Sequence, residues 1–537
     1  MKPHGRTVHK PSRIHAFVPL NTYVHQATIP MKKYLNKIAV LLLIGSSLLT
    51  SQCKVENEVY DKINPGVFPT NEEDVRALVS ANTYHVFSPY GIFSIAAGYT
   101  IVSDIVTDHC ENTWGWTTLY NSYEANDWHI DGDGRRVYDF VKYLSAMTLT
   151  LDRIKDVNMN EELKQRYIAE TKCGLGFLSF LMYDLYGPIP IPSLDILKNP
   201  MEEKILPRLS EQEMQVFIEQ NLLEASQTLP YRYDAANYGR FTKGLANTVL
   251  LKFYMMTAQW TKAEAMGREL LNPAYGYSLV QDYHSLFTLS GEINRETIFS
   301  CLAKAGIMEG QWHAHVLTAD FPTPSGKTIT KWGGYKIAWP FYETFEAADK
   351  RKERIYGEYL GTEGVLHNRQ LDRDNGTQGI LYKGAVPVKY GFDGVVGEKS
   401  EIDMPIYRYA DVLTLLSEAI VRNGNVVTTE AIGYLNQVRI RAGLKAYTAQ
   451  DLPNTVTFLE KLLLERGHEF CLEGVRRQDL IRHRKFIPFA IEKAQFAGQP
   501  IGKISTMVDG RYKYERFPIP TKIINEGKGL IQQNPGF

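Results

Sequence analysis

The hydrophobic pattern limits the fold before anything else does. From Glu161 to Tyr186, the residues Leu163, Tyr167, Ile168, Leu178, Leu181, Met182 and Leu185 share one broad face at helical spacing. The run stops at Gly187-Pro188, where proline cannot continue a helix. Gly174 and Gly176 inside it lower helix propensity, so a second helix is expected to come close there. The same period recurs over 404–422, where Ile406, Tyr409, Ala410, Leu413, Leu416 and Ile420 repeat ahead of Asn423-Gly424. It recurs again over 241–257 and, after a turn at Gln259-Trp260, over 261–271. The expected fold class is mainly α.

The pair 241–257 and 261–271 resembles a tetratricopeptide helical hairpin, with Gly244, Ala246, Ala263 and Ala265 where antiparallel helices would touch. No clean 34-residue self-repeat accompanies it. Two further hairpins are expected, 137–157 with 161–186 and 413–422 with 429–442. Two stretches break the pattern. Residues near 84–134 and 306–342 are rich in Gly, Trp, Tyr, Thr, His and Asp without a sustained helical period. Residues 361–401 are Gly- and Asp-rich with short strand-like runs such as 386–390. Long irregular loops of this kind, when aromatic, are expected to carry function. The picture is a helical-hairpin scaffold with a large loop-rich region.

The N-terminus stands apart. Lys32, Lys33 and Lys37 precede a short apolar core, 38–49, that is too short to span a bilayer. It ends in Leu49-Thr50-Ser51-Gln52-Cys53, which resembles a bacterial lipobox with Gln52 in place of the usual small residue. On this reading 1–30 is a non-native extension, 31–52 is a lipoprotein signal peptide, Cys53 is the lipidation site and 53–537 is the body. The polar leash 54–58 reads as a solvated linker or as a tag for surface export. The 537-residue chain carries 60 basic and 60 acidic residues, and seven of the basic ones lie before Cys53. Taking those seven from 60 leaves 53 basic against 60 acidic, a net charge of about −7. A mildly acidic exported chain is a poor nucleic-acid binder. Cys110, Cys173, Cys301 and Cys471 are widely spaced with no CxxC, so buried free thiols are expected.

Several motifs together resemble the SusD-like (RagB/SusD) family of outer-membrane nutrient-binding lipoproteins of Bacteroidetes. They are Asp403, Pro405, Arg408, Tyr409 and Ala410 with Glu418-Ala419; Asn436, Val438, Arg439, Arg441, Ala442, Gly443 and Leu444; Glu465-Arg466 with Glu469, Glu473-Gly474, Arg476, Asp479-Leu480 and Arg482; and Pro518-Ile519-Pro520 with Gln533-Asn534-Pro535-Gly536-Phe537. Gly239 to Gly244 and Leu185 to Pro190 fit as well, whereas Leu175 stands near a position the family fills with Arg. The residues themselves point to structure: Arg439, Arg441, Glu473 and Arg476 among apolar helix positions read as buried bridges. The resemblance implies a cell-surface binder of oligosaccharide or polysaccharide, lipid-anchored in the outer membrane and working with a SusC-like TonB-dependent transporter. It implies no catalysis and no cofactor. Peptide cargo, a glycan-degrading enzyme and a pure assembly protein are the rival readings.

Sugar recognition needs flat rings to stack on pyranose C–H faces and planar polar groups for hydroxyls. Candidate glycan contacts are Asn112, Trp114, Trp116, Tyr120 and Trp128 in the first loop and Trp312, Trp332 and Tyr335 in the second. Trp260 and Trp339 read as core. Asp131-Gly132-Asp133-Gly134 fails as a calcium loop, because His129 and Phe140 fall at ligand positions one and twelve, so a turn is expected. His313 and His315, two apart with no third ligand, make no metal site. No HExxH, GxSxG or phosphate loop is present.

Overall fold

The structure is a computed structural model that describes residues 68–114, 135–199, 201–202, 204–374, 379–496, 506–508 and 511–537. The signal peptide, Cys53 and the 131–134 turn lie outside the described residues.

Helices supply the scaffold. They include α1 (Glu72–Asn82), α2 (Tyr99–Ile105), α3 (Lys142–Lys155), α4 (Glu161–Tyr186), α5 (Glu211–Thr228), α6 (Lys243–Met256), α7 (Trp260–Glu269), α8 (Trp312–Val316), α9 (Tyr409–Gly424), α10 (Thr429–Arg441), α11 (Thr455–Glu469) and α12 (Arg476–Arg482). Half of these helices have starts capped by side chains. The Asn160 side chain accepts from Leu163 N ahead of α4, and Thr242 and Thr428 do the same for α6 and α10. Ser210 and Glu213 form a reciprocal capping box on α5. The α4 helix ends as its sequence predicts, at Gly187 with φ 73, whose N–H reaches Tyr183 O.

Successive helices pack on one another: α3 on α4, α4 on α5, α5 on α6, α6 on α7, α7 on α9 and α9 on α10. This is the tetratricopeptide-like stack of hairpins that the periodicity predicts. Gly176 admits α5 closely, since a Cβ there would stand 2.5 Å from Leu222 Cγ. Gly267 of α7 meets Leu416 of α9 in the same manner, at 3.0 Å. Two expected contact residues do something else. Gly244 makes room for the Tyr277 ring, and Ala265 is exposed.

Strands organise the loop-rich part. A four-stranded antiparallel sheet runs in the order β1 (Cys110–Asn112), β3 (Tyr335–Ala338), β5 (Gly384–Pro387), β4 (Ile355–Tyr356). The register sets Cys110 opposite Ile337 and Asn112 opposite Tyr335. A separate ribbon pairs β2 (Thr297–Cys301) with β6 (Met404–Arg408). The helix expected over 404–422 therefore begins only at Tyr409. Pro405 lacks an N–H and disfavours a helical Met404, and β2 offers strand partners.

Where the family motifs meet, buried charges are paired. Arg408 bridges Glu296 at 3.0 Å and Glu473 at 2.7 Å, and it also reaches Glu469. Arg441 pairs with Glu296, Arg439 with Glu465, Arg466 with Asp411 and Asp479, and Arg476 with Asp108. These side chains join β6, α9, α10, α11 and α12 into one body, the structural role read from the sequence. Cys173, Cys301 and Cys471 are buried free thiols, and Cys110 is buried as well.

Candidate functional site

The two aromatic loops, more than 200 residues apart in sequence, converge because β1 pairs with β3. Just past β1, Thr113 N donates to Gly334 O at 2.9 Å and Thr113 Oγ1 to Gly333 O at 2.6 Å. The Trp114 indole N–H donates to Trp332 O at 2.9 Å. Three consecutive carbonyls of the second loop thus accept from two consecutive residues of the first. On its other side, the second loop is tied to α8: Trp332 N donates to Ala314 O and Gly334 N to His315 O, both at 2.7 Å. Two glycines are required here. Gly333 has φ 65, and Gly334 has the Trp114 ring 2.4 Å from where a Cβ would be.

Around His315 the rings form a compact aromatic group. Trp114 lies 5.4 Å from the imidazole, Trp332 4.9 Å edge-on, and Tyr335 stacks at 5.7 Å. Burial drives the His315 pKa down to about 4, with the bond to Gln311 O opposing, so the imidazole is neutral at physiological pH. Trp332 is 41% exposed and carries the group to the surface, and Trp114 is half-buried beside it. The arrangement offers solvent a flat apolar ring held by backbone hydrogen bonds, with a neutral imidazole behind it.

The other candidates fall into two groups. Tyr335, Asn112 and Trp312 are buried and do not present their side chains to a surface ligand. Tyr335 is at 0% exposure and its hydroxyl donates to Ile95 O, because β3 turns that position into the core. The Asn112 side chain folds back, donating to Trp114 O at 3.0 Å and accepting from Trp114 N at 3.3 Å. Trp312 is 6% exposed and packs 5.1 Å from Tyr390. Trp116, Tyr120 and Trp128 lie outside the described residues. Trp339 is core as expected, its indole N–H on Leu381 O, and Trp260 is half-buried under Arg422.

His313 and His315 do not converge on a shared point: His313 Nε2 contacts Tyr390 O and His315 Nδ1 contacts Gln311 O. Among the described residues no cluster of three His, Cys, Asp or Glu side chains could hold a metal. Two features escaped sequence reasoning. Lys336 is fully buried on β3 and bonds Gly333 O, and because every residue of that strand is buried no alternation marks it. Tyr356, 36% exposed and edge-on to Phe321 at 5.1 Å, presents a further ring at the edge of the sheet opposite β1; two-residue β4 gave no pattern to find it by.

Residues 305–537 match the SusD family, and the fold is the one seen in solved SusD-like proteins. It is 23% identical over 500 residues to the starch-binding protein SusD of Bacteroides thetaiotaomicron, covering 81% of this chain and 84% of that one. The crystal structure of a SusD homologue from the same organism superposes with a TM-score of 0.70 at 21% identity, covering 87% of this chain and 97% of the other. A surface glycan-binding protein A from Bacteroides thetaiotaomicron, in complex with laminarihexaose, superposes with a TM-score of 0.68 at 19% identity, over 87% of this chain and all of the other.

Proposed function

We propose that this chain is a cell-surface glycan-binding lipoprotein that captures a neutral oligosaccharide or polysaccharide and passes it to a SusC-like TonB-dependent transporter in the outer membrane. Cys53 would carry the lipid after removal of 31–52. The observation that carries the reading is the exposed Trp332 ring with Trp114 beside it. A rigid indole supplies contact area at small conformational cost, and its face suits the C–H side of a pyranose. The neutral His315 behind it puts no charge against an uncharged ligand. The starch-binding and laminarihexaose-bound relatives support a glycan as cargo, and they are named as binding proteins, so the chain is read as a binder and not an enzyme.

The test uses residues 54–537, which lack the lipid site. The protein is mixed with insoluble and soluble plant, fungal and host glycans, and each mixture is assayed for depletion of protein and for new reducing ends. Depletion by one glycan class without reducing ends is expected. New reducing ends would mean an enzyme, and depletion by none would remove the glycan reading.

A further inference from the structure

We propose that Lys336 is the positioning residue of the tryptophan platform: its buried ammonium gathers the carbonyls of Val316, Gly333 and Tyr335 and so sets how Trp114 and Trp332 stand at the surface. The part of this that concerns sugar rests on the proposed function; the part that concerns the loop does not.

Lys336 is at 0% exposure in the middle of β3. Its Nζ donates to Gly333 O at 2.8 Å, to Val316 O at 3.3 Å and to Tyr335 O at 3.4 Å. Val316 ends α8 and Gly333 precedes β3, so one ammonium ties both ends of the 317–334 loop. Gly333 O is also the oxygen that Thr113 Oγ1 reaches at 2.6 Å. The loop bearing Trp114, the loop bearing Trp332 and the lysine therefore share a single acceptor. None of the three lysine bonds goes to a carboxylate. Burying a charge without an opposite charge is expensive, and a cluster of carbonyls needing donors is what makes it tolerable here.

The charge state gives the proposal a distinctive signature. Burial lowers the Lys336 pKa to about 7. The charged and titratable groups on the elements around it are Cys110 and Glu111 on β1, the latter opposite Lys336 in register, His313 and His315 on α8, Lys383 just before β5 and Lys493, whose Nζ reaches Cys110 O and Thr107 O. His315 stays neutral through this range. An ammonium has three N–H donors for three carbonyls, whereas an amine has two and turns a lone pair toward the third. Above neutral pH the knot loosens. Stability runs the other way. The unfolded lysine, with a pKa near 10.4, binds the proton that the folded one has released between about pH 7 and 10, so this group makes the fold more stable as pH rises. A purely structural lysine would make binding follow stability upward; a positioning lysine makes platform order fall.

The experiment follows intrinsic tryptophan emission of unliganded residues 54–537 from pH 5.5 to 9, in the native sequence, Lys336→Met and Trp332→Phe. The expected result is a transition with a midpoint near pH 7 that is absent from Lys336→Met and smaller in Trp332→Phe, where Trp114 remains as reporter. Affinity for whichever glycan the protein retains is then measured at pH 6 and 8.5. It is expected to weaken with pH in the native protein and to be flat, and about tenfold weaker at pH 6, in Lys336→Met, the scale of losing a charged donor. A native-like transition in Lys336→Met overturns the proposal. Should that variant not fold, Thr113→Ala carries the test. It removes the other donor to Gly333 O and is expected to enlarge the transition, and an unchanged amplitude overturns the proposal. If no glycan binds at either pH, the functional reading fails while the emission titration still decides the role of Lys336.

Discussion

Replacing Gly334 by alanine is the sharpest perturbation of the platform, because it adds one methyl group and little else. Gly334 is not among the glycines with positive φ, so alanine meets no backbone strain there. The new Cβ would stand 2.4 Å from both Cε2 and Cζ2 of Trp114. Carbon atoms rest at about 3.5 Å or more, so the ring must retreat by about 1 Å. Trp114 Nε1 is bonded to Cε2 and retreats with it. Its 2.9 Å bond to Trp332 O then passes beyond hydrogen-bonding range. Overpacking of this kind costs about 1–3 kcal/mol and the lost bond about 1 kcal/mol. The loss is local, so Gly334→Ala is expected to fold with a slightly lower Tm, to shift its tryptophan emission, and to bind glycan at least tenfold more weakly, the same loss expected of Trp114→Ala. At about 1.4 kcal/mol per tenfold, that asks for only part of the platform's contact. Thermal melts, emission spectra and binding assays on the same preparation read all three. Native emission and native affinity in Gly334→Ala would refute the geometry from which the platform is argued.

The buried ion cluster sets acid stability. Burial alone raises the Glu469 carboxyl, but Arg441, Arg408 and Arg351 outweigh it and hold the pKa at about 2. Because the folded value is depressed, the contribution is complete above the unfolded pKa near 4.3 and is lost as pH falls toward 2, amounting to about 3 kcal/mol. Urea unfolding at pH 5 and pH 2.5 should show that drop, and Glu469→Gln should shrink it while destabilising the protein at pH 7 by about 3–5 kcal/mol. Gly176→Val should lower the denaturant midpoint by driving a side chain into Leu222, and an unchanged midpoint would deny the close approach of α4 and α5. Burial holds the Cys471 thiol up at about 12 and raises those of Cys173 and Cys301, so a thiol reagent should label residues 54–537 slowly until urea is added.

Much of the scaffold was legible because helices of this length declare themselves by period and punctuation. The α4 helix, with Asn160 before it and Gly187-Pro188 after it, was read to the residue. The start of α9 was misread because Ile406, Tyr409 and Ala410 happen to fall at helical spacing while β2 claims Met404–Arg408 as a strand. Local pattern cannot see a partner a hundred residues away, although Pro405 argued against a helix. The same limit governed the site. Composition marks each aromatic loop separately and the family resemblance implies a shared role for them; the β1–β3 register is what unites them. Which rings face outward depends on that register: Trp332 emerges, while Tyr335 three residues later points into the core. Lys336 went unmarked in the sequence, since nothing in its neighbours announces that three carbonyls will surround it.

The central claim is that the exposed Trp332 ring, with half-buried Trp114 beside it, takes a glycan on a SusD-like scaffold. Affinity electrophoresis of residues 54–537 through gels containing a panel of polysaccharides tests it most directly, with Trp332→Ala and Trp260→Ala run beside the native protein. Trp260 belongs to the scaffold, where Arg422 lies 4.9 Å from its ring. The account expects one polysaccharide to retard the native protein and Trp260→Ala alike, and to leave Trp332→Ala running free. Equal retardation of Trp332→Ala, or retardation of none by any polysaccharide, would contradict it.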